Sequence, residues 1–276
     1  MPNLPSVVNH VGGYVVGTVV QGGVVSMAAP PARPVAVAGL PTQAVFVGRE
    51  DELGRLAAAL APSDGVGAVL VWSVGGLPGV GKTALVVQAA HRAVAAGCFP
   101  GGVVMVNLRA YDQAEQQVSA SAALAGLLGA LGVPSEHIPP EEEHRAWLWR
   151  SLLAERAARG QRMLIIADNV AQSDHVRSLL PGTRGHRVLI TSRHRLADLD
   201  DARLLDLDVL GTDEAVRMLS SVVAMSEPDD PRARRDLGST ARVVRLCGGL
   251  PLAVRICAAL LVAEPELSMA ALGLLE

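Results

Sequence analysis

From residue 46 to residue 211 the apolar positions switch between two periods. Short β-branched runs fall at 68–74, 103–108, 163–167 and 188–191, with a weaker one at 204–209. Between them apolar residues recur every three or four positions, which predicts helices over 50–60, 82–96, 118–131, 141–159 and 174–180. Strands alternating with helices predict an α/β fold with a parallel sheet covered by helices on both faces. From residue 212 the pattern is helical only, over 212–225, 231–247 and 250–262 with a further start at Ser268. A small helical subdomain therefore follows the α/β layer. Trp147 and Trp149 stand two apart on one helix and cannot share a face, which assigns one to the core and the other to an interface.

The chain before this region has a different character. Residues 1–48 hold one charge, Arg33, and no acid. In segment 6–27, Val7-Val8-Asn9 is followed by Gly12-Gly13, and Val19-Val20-Gln21 by Gly22-Gly23. Valine pairs separated by glycines suggest short strands with tight bends. Pro30, Pro31, Pro34 and Pro41 make 28–45 an extended linker. The expected division is a β-prone segment 1–27, a linker 28–45, an α/β domain 46–211 and a helical subdomain 212–276.

Composition narrows the function classes. Half the residues are apolar, enough for a sizeable core. The net charge of −3 offers no global basic field for direct nucleic-acid binding, and the cluster Arg232, Arg234 and Arg235 is too short to claim DNA. No apolar run reaches the roughly 18 residues of a membrane span. Cys98, Cys247 and Cys257 lie far apart in sequence, which argues against a disulfide framework or a zinc ribbon and fits a reducing cytoplasm. The seven histidines show no metal-ligand spacing.

The basic residues are unevenly chosen: of 24 lysines and arginines, all but Lys82 are arginine. Lys82 falls in Gly76-Leu77-Pro78-Gly79-Val80-Gly81-Lys82-Thr83, which fits the phosphate-binding pattern G-x-x-x-x-G-K-[ST] between a predicted strand and a predicted helix. Glycines let successive N–H groups turn toward phosphate oxygens, and the start of the following helix adds partial positive charge. The Lys82 ammonium can reach the β- and γ-phosphates and the Thr83 hydroxyl can ligate Mg²⁺. A planar guanidinium does not substitute for a compact ammonium there. Asp168 closes the run Met163-Leu164-Ile165-Ile166-Ala167 at the carboxyl end of a buried strand, where a carboxylate for that metal is expected. The next residue, Asn169, is an amide and cannot act as a base. Arg193 follows the run Val188-Leu189-Ile190-Thr191; spacing alone leaves it either facing a γ-phosphate or lying in a solvated basic turn.

Taken in order, these segments resemble the NB-ARC type of signal-transducing ATPase, over about 46–276, and most closely its actinobacterial members. Phe46-Val47-Gly48-Arg49-Glu50 resembles the entry motif near the adenine, so Val47, Gly48 and Arg49 are expected at the nucleotide. Gly76, Gly79, Val80, Gly81, Lys82, Thr83 and Ala84 belong to the Walker A segment. Val106-Asn107-Leu108-Arg109-Ala110-Tyr111-Asp112 resembles the second-strand block, and LIIADNV the Walker B segment. Cys247-Gly248-Gly249-Leu250-Pro251-Leu252 resembles the GLPL motif, which places Pro251 and Leu252 against the base. The resemblance gives Arg193 the sensor role and makes Lys82, Asp168 and Arg193 the catalytic set, with Thr83 and Asp168 as metal ligands. It implies ATP/ADP and Mg²⁺ as cofactors, a weak ATPase, and a switch in which nucleotide exchange opens the domains and permits homo-oligomerisation. Asn169 stands where many relatives have a second acid. The family's winged-helix domain, with its ADP-sensing histidine, is not within the 276 residues. Two other classes stand beside the switch: a P-loop enzyme transferring phosphate to a small molecule, and a fragment of an ATP-dependent transcriptional regulator.

Segment 6–27 combines high β-propensity, low charge and no internal proline, the features of chains that stack as cross-β. It resembles bacterial amyloid signalling motifs, which implies an effector partner carrying a similar segment. A flexible Gly/Val tail and a small β-appendage are the alternatives.

Overall fold

The structure, a computed structural model, describes residues 37–42, 46–62, 70–113, 116–196, 198–199 and 202–274. Segment 6–27 and most of the linker 28–45 lie outside the described residues. Six parallel strands form one sheet: β1 (Val37–Ala38), β2 (Leu70–Gly76), β3 (Gly102–Asn107), β4 (Met163–Val170), β5 (Arg187–Ser192) and β6 (Ala202–Leu207). Their order across the sheet is β1-β3-β4-β5-β2-β6. The two-residue β1 arises inside the predicted linker, where Val37 pairs with Val103 and Ala38 with Val104.

The central strands serve two cores at once, because successive side chains point to opposite faces. In β4, Met163, Ile165 and Ala167 face one core and Leu164 and Ile166 the other; in β5, Val188 and Ile190 oppose Leu189. Such strands read as continuous apolar runs. One face is covered by α1 (Glu50–Leu60) and α2 (Lys82–Ala95). The other is covered by α3 (Ala120–Ala130), α4 (Glu142–Ala158) and α5 (Asp174–Arg177). On α4, Trp149 is fully buried and donates its indole N–H to the Leu179 carbonyl at 2.8 Å, whereas Trp147 is exposed.

After β6 come only helices: α6 (Thr212–Ser226), α7 (Arg232–Arg235), α8 (Leu237–Leu246), α9 (Pro251–Ala263) and α10 (Met269–Leu272). They enclose a third core around Leu219, Val244, Val254 and Leu261. The single helix predicted over 231–247 is two. Asp236 leaves helical geometry at φ −123°, and its carboxylate accepts the Ser239 N–H at 2.9 Å, capping α8. No helix among the described residues is long and apolar enough to cross a membrane. The fold also brings together two cysteines ten residues apart, at the end of α8 and on α9. The Cys247 and Cys257 sulfurs lie 3.5 Å apart as free thiols, and burial together with Cys257 pushes the Cys247 thiol up to about 12.

Candidate functional site

The loop between β2 and α2 forms the floor of a cleft at the carboxyl edge of the sheet. Lys82 is 7% exposed, and its ammonium donates to the Gly76 carbonyl at 2.7 Å and the Leu77 carbonyl at 2.8 Å. Burial and the charge of Arg193 hold the Lys82 ammonium below the ordinary lysine pKa, against the raising effect of Asp168. Gly79 adopts φ +76°, and a Cβ there would press on the Leu252 side chain at 2.9 Å. Only glycine admits both that backbone and that neighbour.

Asp168 sits behind this floor, 1% exposed. Its Oδ1 accepts the Thr83 hydroxyl at 2.7 Å and the Thr191 hydroxyl at 2.5 Å. The motif threonine and the strand-end acid therefore meet across 85 residues of sequence. They are hard oxygen donors. Among the described residues no group of three or more His, Cys, Asp or Glu could hold a metal alone. That set fits Mg²⁺ sites completed by phosphate oxygens and water rather than by a protein cage. Asn169 takes φ +56°, and its amide donates to Asn107 Oδ1 at 3.1 Å and to Asp168 Oδ2 at 3.3 Å. It is one of three non-glycine residues at positive φ among those described, with Arg49 and Arg109, and such strain tends to gather at functional sites.

The walls come from the entry motif and from the helical layer. Phe46, Val47 and Arg49 of the entry motif line it, as do Leu210, Met218, Pro251 and Leu252, and Val47 packs against the same core as Leu210 and Met218. The layers are joined directly at the floor, where the Leu252 N–H donates to the Gly79 carbonyl at 3.2 Å. The turn before α9 is built on Gly249, whose φ is +66° and where a Cβ would lie 2.4 Å from the Leu210 carbonyl oxygen. Its own carbonyl accepts the Leu210 N–H at 2.9 Å. Arg49 is buried. Its side chain donates to Glu52 at 3.1 Å and to the Asp208 carbonyl, and its backbone N–H donates to Glu214 Oε1 at 3.4 Å.

The AAA ATPase domain model matches residues 45–196, more than half of the chain. The chain belongs to the AAA ATPase domain family. Nucleotide binding at the P-loop goes with that membership. Regulatory protein AfsR of Streptomyces coelicolor is 37% identical over 236 residues, covering 85% of this chain and 22% of that protein. A probable disease resistance RPP8-like protein 2 of Arabidopsis thaliana is 27% identical over 221 residues, covering 78% of this chain and 23% of that one. The chain thus spans less than a quarter of either relative. Both agree with the NB-ARC-type resemblance read from the motifs. The structure of Drosophila ORC bound to DNA matches with a TM-score of 0.57 at 12% identity, over 94% of this chain and 69% of that one, a likeness of fold.

Most of the residues expected at the nucleotide line the cleft, from Val47 and Arg49 through Gly79, Val80, Gly81, Lys82, Thr83 and Ala84 to Arg193, and Pro251 and Leu252 beyond the matched domain. Three stand back from it. Gly48 packs against the Glu214 carboxylate, Gly76 ends β2 and offers its carbonyl to Lys82, and Asp168 accepts the Thr83 hydroxyl. Sequence reasoning missed Met218 on α6 and Arg255 on α9, which also line the cleft. It also missed Thr191 and Glu214. Their contacts join elements far apart in sequence, and no short motif signals them.

Proposed function

We propose that this ATPase domain is a regulatory switch that binds ATP and ADP with Mg²⁺ and couples the bound nucleotide to the placement of the helical layer. One observation carries the reading: the start of α9 bonds straight to the phosphate loop, Leu252 N–H to Gly79 carbonyl. A nucleotide seated on the loop touches both layers, so it can bias their arrangement if the two arrangements bind it differently. Arg193 is the group suited to tell them apart, since it can pair with a γ-phosphate that ADP lacks. Thr83 and Asp168 would hold Mg²⁺, which when bound neutralises developing phosphate charge. Asn169 offers no base for activating water, which supports slow hydrolysis. The regulatory name of the AfsR relative favours a signalling role over phosphate transfer to a metabolite. ATP-dependent homo-oligomerisation, a cytoplasmic location and an effector partner met through 6–27 complete the proposal.

The test is binding of fluorescent ATP and ADP analogues to the full chain. Lys82→Ala should weaken both by at least about a hundredfold, since it removes a buried charge-assisted contact. A Lys82→Ala protein with ordinary affinity overturns the assignment. Turnover separates the switch from a phosphotransferase: below about one per minute supports the switch, since kinases run at roughly 1–100 per second.

A further inference from the structure

Arg193 is exposed at the end of β5, yet it lines the cleft. A long side chain on an exposed turn samples many rotamers, and fixing it on a ligand costs entropy. Here it has a seat. The guanidinium carbon lies 4.1 Å from the centre of the Tyr111 ring, within cation–π range. The tyrosine is itself pinned. Its hydroxyl donates to the Val170 carbonyl at 2.9 Å, accepts the Arg193 backbone N–H at 2.8 Å, and lies 3.2 Å from Ser192 Oγ. The ends of β4 and β5 therefore fix the ring, and the ring fixes the guanidinium.

We propose that Tyr111 is a positioning residue that preorganises Arg193 and so sets the preference of the site for a nucleoside triphosphate over a diphosphate. This rests on the reading of Arg193 as the γ-phosphate discriminator. The chemistry suits the task. A carboxylate in this place would hold the guanidinium through its N–H edge and offset its charge. An aromatic ring holds the face instead, leaving the five N–H donors and the full positive charge for phosphate oxygens. Tyr111 does not touch the nucleotide; its effect passes through Arg193.

The experiment titrates the full chain with fluorescent ATP and ADP analogues and reads the ratio of the two affinities. Tyr111→Ala should cut the ATP preference about fivefold, the size expected for freeing one long side chain. Tyr111→Leu, which keeps apolar bulk without a π face, should do the same and stands in if the alanine variant does not fold. Tyr111→Phe keeps the π face but loses the hydroxyl that pins the ring, so its preference should fall between that of the unaltered chain and that of Tyr111→Ala; a Phe variant with less preference than Tyr111→Ala overturns the role of the ring. In the Arg193→Ala background, Tyr111→Ala should change the ratio no further. Equal losses for both nucleotides, or an additive loss in the double variant, overturn the proposal. If Arg193→Ala alone leaves the preference intact, the reading of Arg193 falls and this proposal with it. If Arg193→Ala removes the preference and Tyr111→Ala does not, only the seat is wrong.

Discussion

Lys82 uses two of its three N–H donors on the carbonyls of its own loop. It braces the curl as well as lining the cleft, so its loss affects shape and charge together. That explains why one lysine stands among so many arginines: a flat five-donor fork cannot fold back into so tight a turn. This much was legible in the sequence, because a motif with fixed spacing names its own residues. His186 was not. It is fully buried, accepts the Met163 N–H at 3.1 Å and lies 2.9 Å from the Leu153 carbonyl, contacts that only the tertiary fold creates. Burial pushes its imidazole below the ordinary 6.5, and Arg156, Arg162 and Arg187 add to the effect against the bond to Leu153. The neutral form belongs to the folded state, so the unfolded chain takes the proton first as pH falls. Stability should be level above about pH 7 and decline as pH drops through the unfolded value of about 6.5 toward the lower folded one. Thermal melts across pH 5 to 8 check this. His186→Gln should flatten that stretch of the profile, whatever its overall melting point.

Helices with a clear apolar stripe, such as α1, were readable to the residue; the apolar runs of β4 and β5 marked the strands but not their ends, since β4 runs on to Val170 and β5 spans Arg187–Ser192. Breaks that depend on one capping side chain were harder. The periodicity of 231–247 runs through Asp236, and only the competing hydrogen bond to Ser239 splits it into α7 and α8. The two residues of β1 carry no period at all and become a strand because β3 offers an edge. At the same scale, the turn into α9 depends on Gly249. Gly249→Ala forces a side chain into left-handed backbone against the Leu210 carbonyl. It should cost about 1–3 kcal/mol, read as a lowered denaturation midpoint, and should also weaken nucleotide binding because Pro251 and Leu252 follow directly. Alanine tolerated there without loss would show that the turn can relax.

Three cores run through the described residues, two around the sheet and one within the helical layer. The cleft lies where the third meets the second. Alternating periods revealed the layers, but not that α9 starts on the phosphate loop, because that junction joins Gly79 and Leu252 across most of the chain. At this scale the proposed switch predicts that ATP and ADP give different assembly states. Light scattering of the full chain should show larger particles with a slowly hydrolysed ATP analogue than with ADP, and equal sizes would count against coupling. The far end of α9 is held as firmly as its start. The Arg232 guanidinium donates to the Leu261, Glu264, Pro265 and Leu267 carbonyls at 2.6, 2.9, 3.0 and 2.9 Å, and to Asp230. A helix clamped at both ends behaves as a stiff beam about 20 Å long, at 1.5 Å per residue. Tilting it by about 10° about its Leu252 end would carry the other end, and the Arg232 clamp with it, through about 3.5 Å, so a small rotation at the phosphate loop would become a shift of atomic size at the far end of the helix.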